Sequence, residues 1–431
     1  MSSFRASVKG SDVPVIDQLH AIEILDSRGR PTLQASCRFR DGSQGCASVP
    51  SGASTGAAEA HELRDADPHR YRGRGCLLAV ANIRGEINDA LQGREIEVQE
   101  SLDLTLVELD GTPQKTRLGA NALLAVSLAW ARANASRQGL PLYRYFAQMP
   151  GFGPPASLPR PTVNLFSGGA HAGGQVPLQD LLILPRRARE MTEAVEICVA
   201  VYESAADLIG DKYGARRLTA DEGGLAPPFT RCEDMFEDAL QAIENAGYRP
   251  GEDVCLALDV AASQFYRDGR YNLEGSLTAE AMIGLLSDWA QRWPIVSIED
   301  GLAENDWAHW PQLRRALAGR ALVLGDDLLC TNPERIQRAI DEGAADALLL
   351  KVNQIGTLAE AARSCHLARE TGWHVTVSAR SGETEDNWLA DLAVGWHGQH
   401  IKIGSITQSE RLAKYNRLLA IADATGMPIQ G

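Results

Sequence analysis

The rhythm of apolar and polar positions changes near residue 150 of this 431-residue chain. Before that point short strand-like runs precede a helical half. "AIEILDSRGRPTLQASCRF" reads as a hairpin, with Gly and Pro punctuating the turn in "DSRGRP". "GANALLAVSLAWARANA" sets Ala and Leu at helical spacing and predicts a buried helix. "FAQMPGFGPPASLPRP", dense in Pro and Gly, marks a boundary between two domains. Beyond it apolar runs recur, "VNLF", "LLIL", "VCLALDV", "PIVSIED", "ALVLGDD", "ALLLKV", "HVTVSA" and "HIKIG", most of them separated by amphipathic segments of helical length. Strand and helix alternating in this way predict an α/β fold with a parallel sheet, and this many units predict a closed β/α barrel.

Charged residues fall at the ends of those runs. Asp259, Glu299, Asp326, Lys351, Arg380 and Lys402 each sit at or just after one, about one β/α unit apart. The C-terminal strand ends of a barrel converge on one mouth, so the six share a pocket. In "DALLLKVNQIG" three leucines lead straight into Lys351, a costly place for an unpaired ammonium. Asp259, Glu299 and Asp326 repel one another unless protonated or bridged by a metal, and hard oxygen donors suit Mg²⁺. Their bland reading is three surface acids in ordinary ion pairs. Lys351, Arg380 and Lys402 are expected opposite them, facing a substrate that carries carboxylate and phosphate. A divalent ion and neighbouring cations lower a lysine pKa, which makes Lys351 a general-base candidate. Taken alone, it also reads as a lysine snorkelling out of a core strand.

Composition narrows the partners. A formal charge of −14 argues against a nucleic-acid footprint but not against a small anionic substrate held by local cations. Eight cysteines without a CxxC pair suggest reduced core thiols. The first residues lack an apolar signal region, and no run of 18 apolar residues occurs, so a soluble cytoplasmic protein without membrane partners is expected. "SGGAHAGG" lacks the context of a P-loop, and Trp293, Trp307, Trp310, Trp373 and Trp388 read as packing residues.

A series of longer stretches resembles the enolase family along nearly the whole chain. They include "EILDSRGRPT", "SVPSGASTGAAEAHELRD", "SGGAHA", "DEGGLAP", "LDVAAS", "SIEDGLAENDW", "GDDLLCTNP", "LLLKVNQIGT", "RSGETED" and "SERLAKYN". The resemblance implies an N-terminal α+β capping domain over 1–150, a C-terminal β/α barrel catalytic domain over 151–431, and a homodimer. Carried over by position, Asp259, Glu299 and Asp326 resemble the ligands of one Mg²⁺, and Ser54 a ligand of a second. Lys351 resembles the base that takes a C2 proton. Gln179 and Lys402 resemble the partners of the substrate carboxylate, Arg380 and Ser381 the phosphate clamp. His171, Asp180 and Glu222 resemble the acid side.

Four positions depart from the family's usual pattern. "SHRSGETED" reads "SARSGETED", leaving Ala379 for a histidine; "QE" reads Gln179–Asp180; "SEFY" reads "SQFY", with Gln264; and the arginine before "SER" is Gln408. His374 is no substitute for the missing imidazole, lying five residues back on the opposite strand face. The changes gather on the acid side, and Ala379 is expected to open room for a larger group. The resemblance then implies a 2-phosphoglycerate- or phosphoenolpyruvate-type substrate handled through an enolate. The acid-side changes point to a repurposed member similar to carboxyphosphonoenolpyruvate synthase of phosphonate antibiotic biosynthesis. Ordinary phosphopyruvate hydratase, a glycolytic lyase, is the alternative. A non-catalytic binding protein on the same scaffold is the alternative of another class.

Overall fold

The computed structural model describes residues 13–53, 56–214 and 218–431. The N-terminal hairpin pairs β1 (Ile16–Leu25) with β2 (Pro31–Phe39), in register from Leu25↔Pro31 to Leu19↔Cys37. Asp26 shapes the turn: its Oδ1 accepts from the backbone N–H groups of Arg28 and Arg30, and Gly29 takes the left-handed φ of 66°. Strand β3 (Gln44–Ser48) completes a three-stranded antiparallel sheet. The two longest helices that follow in this domain are α1 (Gln99–Asp110) and α2 (Ala120–Gln138). Helix α2 is buried nearly all round, the reason its sequence is apolar on every face. It lies so close to β3 that a Cβ on Gly45 would come within 2.3 Å of the Ala129 carbonyl.

The barrel strands are β4 (Arg160–Ser167), β5 (Asp180–Leu184), β6 (Cys255–Asp259), β7 (Ile295–Glu299), β8 (Leu322–Gly325), β9 (Ala347–Leu350), β10 (His374–Ser378) and β11 (His400–Gly404). They close in the order β7-β8-β9-β10-β11-β4-β5-β6. The expectation of an all-parallel sheet needs correction. β5 runs antiparallel to both β4 and β6. Residues 168–179 carry only one 3₁₀ turn, too little for the crossover a parallel return requires, so the chain doubles straight back. Two helices in succession, α3 (Met191–Tyr213) and α4 (Cys232–Asn245), then lead to β6.

Trp307, Trp310, Trp373 and Trp388 are buried in the core. The eight cysteines are free; all are buried except Cys46, which is exposed, against the expectation of core thiols throughout. Among the described residues no helix is long and apolar enough to cross a membrane.

Candidate active site

Asp259 ends β6, Glu299 ends β7, Asp326 follows β8, Lys351 follows β9, Arg380 follows β10 and Lys402 lies within β11. Strand direction therefore delivers all six to one end of the barrel, as their spacing predicted. They do not form two opposed walls. Lys402 Nζ sits between Asp259 Oδ2 at 2.8 Å and Glu299 Oε2 at 2.7 Å, and Lys351 Nζ lies 2.5 Å from Asp326 Oδ2. Acids and amines interleave because buried like charges need counter-charges within contact distance.

Burial, reinforced by the Asp259 charge, pushes the Glu299 carboxyl well above the usual range. Burial also acts to raise Asp259, but Lys402 outweighs it and holds that carboxyl below its ordinary value. Without a metal, burial acts to lower Lys351, but the charges of Asp326 and Glu299 together leave its pKa raised; the expected lowering belongs to the metal-loaded pocket.

Arg380 meets Glu59 through both terminal nitrogens, at 3.1 and 3.2 Å, and Asn353 Oδ1 at 3.0 Å. Ser381 Oγ accepts from Arg28 at 3.1 Å, and the Ser381 carbonyl accepts from Arg411 at 2.7 Å. Gln179 donates to Asp259 Oδ2 at 3.1 Å. Ser54, the expected ligand of a second metal, lies outside the described residues.

On the acid side His171 Nδ1 is 2.8 Å from Asp180 Oδ2, while Asp180 Oδ1 accepts from Ser167 at 2.6 Å and Asn164 at 2.8 Å. Burial works against a charged His171, but the Asp180 charge and hydrogen bond prevail and its pKa rises to about 9. Glu222 completes a group whose ligand atoms lie within 4.8 Å of one another. Gln264 bonds Gln179 and accepts from the Ala170 N–H at 3.2 Å. With its amide turned so that nitrogen faces the acceptors, Gln408 donates to Glu410 Oε1 at 2.8 Å. His374 stands at the start of β10 beside His400, with ring centroids 5.5 Å apart, at the far end of the strand from Ala379.

The free space beside Ala379 is small. Free space among Ala53, His171, Glu222, Lys351, Ala379 and Lys402 amounts to about 20 Å³, the room of roughly one water. A groove of about 930 Å³ lies elsewhere, along Ala58, Ala60 and Pro333, and holds none of the expected site residues.

Several residues of the site were not foreseen. Gln354, fully buried, donates to Asp326 Oδ1 at 2.8 Å and to Glu59 at 3.3 Å. Asp300 accepts from the backbone N–H groups of Asp326 and Asp327 at 2.9 and 2.8 Å, fixing the loop that presents Asp326. The doubled acids in "SIED" and "GDD" were the available signal for Asp300 and Asp327.

Two acidic groups among the described residues bring three ligand atoms within 4.8 Å: His171–Asp180–Glu222 and Asp300–Asp326–Asp327. The expected trio is not one of them: Lys402 sits between Asp259 and Glu299, and Lys351 pairs with Asp326. Its donor chemistry nevertheless fits a hard divalent cation. Buried Asp259 and Glu299 and part-buried Asp326 stand on successive strand ends, and burial with the Asp259 charge pushes the Glu299 carboxyl up.

A barrel whose second strand is antiparallel, carrying acids and lysines on successive strand ends beneath an α+β cap, defines an enolase-superfamily scaffold. Comparison with known families agrees. Residues 16–146 match the family described as "Enolase, N-terminal domain", and residues 155–430 match "Enolase, C-terminal TIM barrel domain". The chain belongs to the enolase family.

Proposed function

We propose that this protein is a Mg²⁺-dependent enzyme that removes the C2 proton of a small phospho- or phosphono-carboxylate through an enolate, with its leaving-group side altered from that of an ordinary phosphopyruvate hydratase. The observation that carries the reading is the make-up of the pocket. Three carboxylates and two lysines interlock at the strand ends, while Ala379, which has no proton to give, lines the same pocket.

Asp259, Glu299 and Asp326 would hold the metal, with Ser54 the candidate ligand of a second. The metal would supply positive charge to offset the second negative charge that proton removal puts on the substrate carboxylate. Lys351 can act as a base only after leaving Asp326, the contact that raises its pKa; Arg380 and Lys402 both act to lower it. Lys402 and Gln179 are suited to the substrate carboxylate, and Arg380 with Ser381 to the phosphorus-bound oxygens. His171, kept protonated by Asp180, is the one cation of the acid group and its best proton donor.

Asp180 is drawn back by three hydrogen bonds and is poorly free to donate. This favours a repurposed reaction, in which the enolate half serves a substrate related to phosphoenolpyruvate, as in carboxyphosphonoenolpyruvate synthase. Ordinary dehydration is favoured by one observation, the survival of His171, Asp180 and Glu222 as a contiguous group. The two readings separate when purified protein with Mg²⁺ and 2-phosphoglycerate is followed by phosphorus NMR. Phosphoenolpyruvate formation that is weak or absent supports repurposing, and turnover at an ordinary enolase rate overturns it.

A further inference from the structure

Directly beneath the carboxylate cluster, the barrel interior departs from the usual filling of bulky branched side chains. Ser297 and Glu299 are two apart on β7, as are His400 and Lys402 on β11, so each pair shares the inward face. Thr376 pairs in register with His400, and Thr162 with Lys402. The layer below Glu299 and Lys402 thus sets three hydroxyls and an imidazole among apolar residues such as Leu182, Leu184, Leu258 and Leu324. The six polar residues help enclose a cavity of about 20 Å³.

Thr162, Ser297, Glu299, Thr376 and Lys402 are all more than nine-tenths buried. Yet Thr162 Oγ1 and Glu299 Oε1 have no hydrogen-bond partner. Nor do the side chains of Ser297, Thr376 and His400 bond any other described residue. An unsatisfied buried polar group costs about 1–3 kcal/mol, so two such atoms at one hollow, with the side chains of Ser297, Thr376 and His400 beside them, call for a shared occupant. The volume suffices for one water, which needs two to four polar partners. The Lys402 ammonium disfavours a cation and the Glu299 carboxylate an anion. Burial pushes the His400 pKa down to about 3, so its ring is neutral and able to donate or accept.

We propose that this cavity is a built water site, in which one ordered water takes a hydrogen bond from the Thr162 or Thr376 hydroxyl and hydrogen-bonds Glu299 Oε1. Glu299 is then held from both sides, by Lys402 on Oε2 and by the water on Oε1. The water acts as a positioning element for the carboxylate cluster; that role, though not the site itself, rests on the metal-dependent function proposed above.

An atomic-resolution crystal structure of the full chain tests the site. Density about 2.6–3.2 Å from Glu299 Oε1 and from at least one of the hydroxyls is the expected result. A dry cavity, with the hydroxyls turned onto main-chain carbonyls, overturns the proposal. The role is tested by Mg²⁺ calorimetry on a Thr162→Val/Thr376→Val double variant, with thermal melting as the check on folding. Loss of the water should weaken Mg²⁺ binding by about 10-fold, the lower end for groups that orient metal ligands, and Thr162→Ser should keep wild-type affinity. Unchanged affinity with the water gone refutes the positioning role. Should the wild type bind no Mg²⁺, the proposed function fails, while the density still decides the water site.

Discussion

Removing the charge from the His171–Asp180 pair should change how stability depends on pH. His171 lies 2.8 Å from Asp180 with its side chain 7 % exposed, and its pKa stands at about 9 against an ordinary 6.5. A raised histidine pKa stabilises the folded state fully below about 6.5, and that contribution is lost as pH rises to about 9. The shift of about 2.5 units corresponds to about 3 kcal/mol. With an unfolding entropy of about 2.1 cal/mol/K per residue, a chain of this length turns that into roughly 3–4 °C of Tm. The assay is thermal melting in EDTA from pH 6 to pH 10, for the wild type and for a His171→Gln/Asp180→Asn variant in which neither partner titrates. The wild-type advantage should shrink by that amount across the range. An NMR titration of the His171 ring should place its midpoint near 9. A constant Tm difference, or a midpoint at or below 6.5, would refute the claim that the acid side keeps a protonated imidazole at neutral pH.

Other changes have equally definite outcomes. Glu59→Gln removes one partner of a buried pair, 4 % and 7 % exposed, and should cost about 3–5 kcal/mol, read as a fall of roughly 3–5 °C in Tm; a fall under about 1 °C contradicts it. Mg²⁺ at about 100 times its dissociation constant should stabilise the wild type by about 2.7 kcal/mol, roughly 3 °C in the same assay. Asp326→Asn should abolish that shift, and its persistence would place the metal elsewhere.

The strand-end residues were legible because both strand period and unit length leave marks in the sequence: an apolar run, then a charge, then a helix. The direction of β5 was not. "LLIL" looks the same whichever way it runs, and only the short, helix-free link before it hinted at a reversal. The pairing of Lys402 with Asp259 and Glu299 spans 143 and 103 residues and depends on barrel closure, which local pattern does not encode. The raised Lys351 pKa follows from a nearer pairing, β8 beside β9, which brings Asp326 to 2.5 Å from its Nζ. Thr162, Ser297, Thr376 and His400 were in plain view as polar residues at alternate places in buried runs. Their meaning depended on all four facing the same axial hollow.

The central claim is that Lys351 removes a proton from carbon beside a carboxylate in a metal-charged pocket. It is tested most directly by incubating the protein with 2-phosphoglycerate in deuterated buffer and following the C2 hydrogen by NMR. The account predicts exchange that requires Mg²⁺ and disappears in Lys351→Ala while the fold, checked by melting, survives. Exchange that continues undiminished in the Lys351→Ala protein would contradict it.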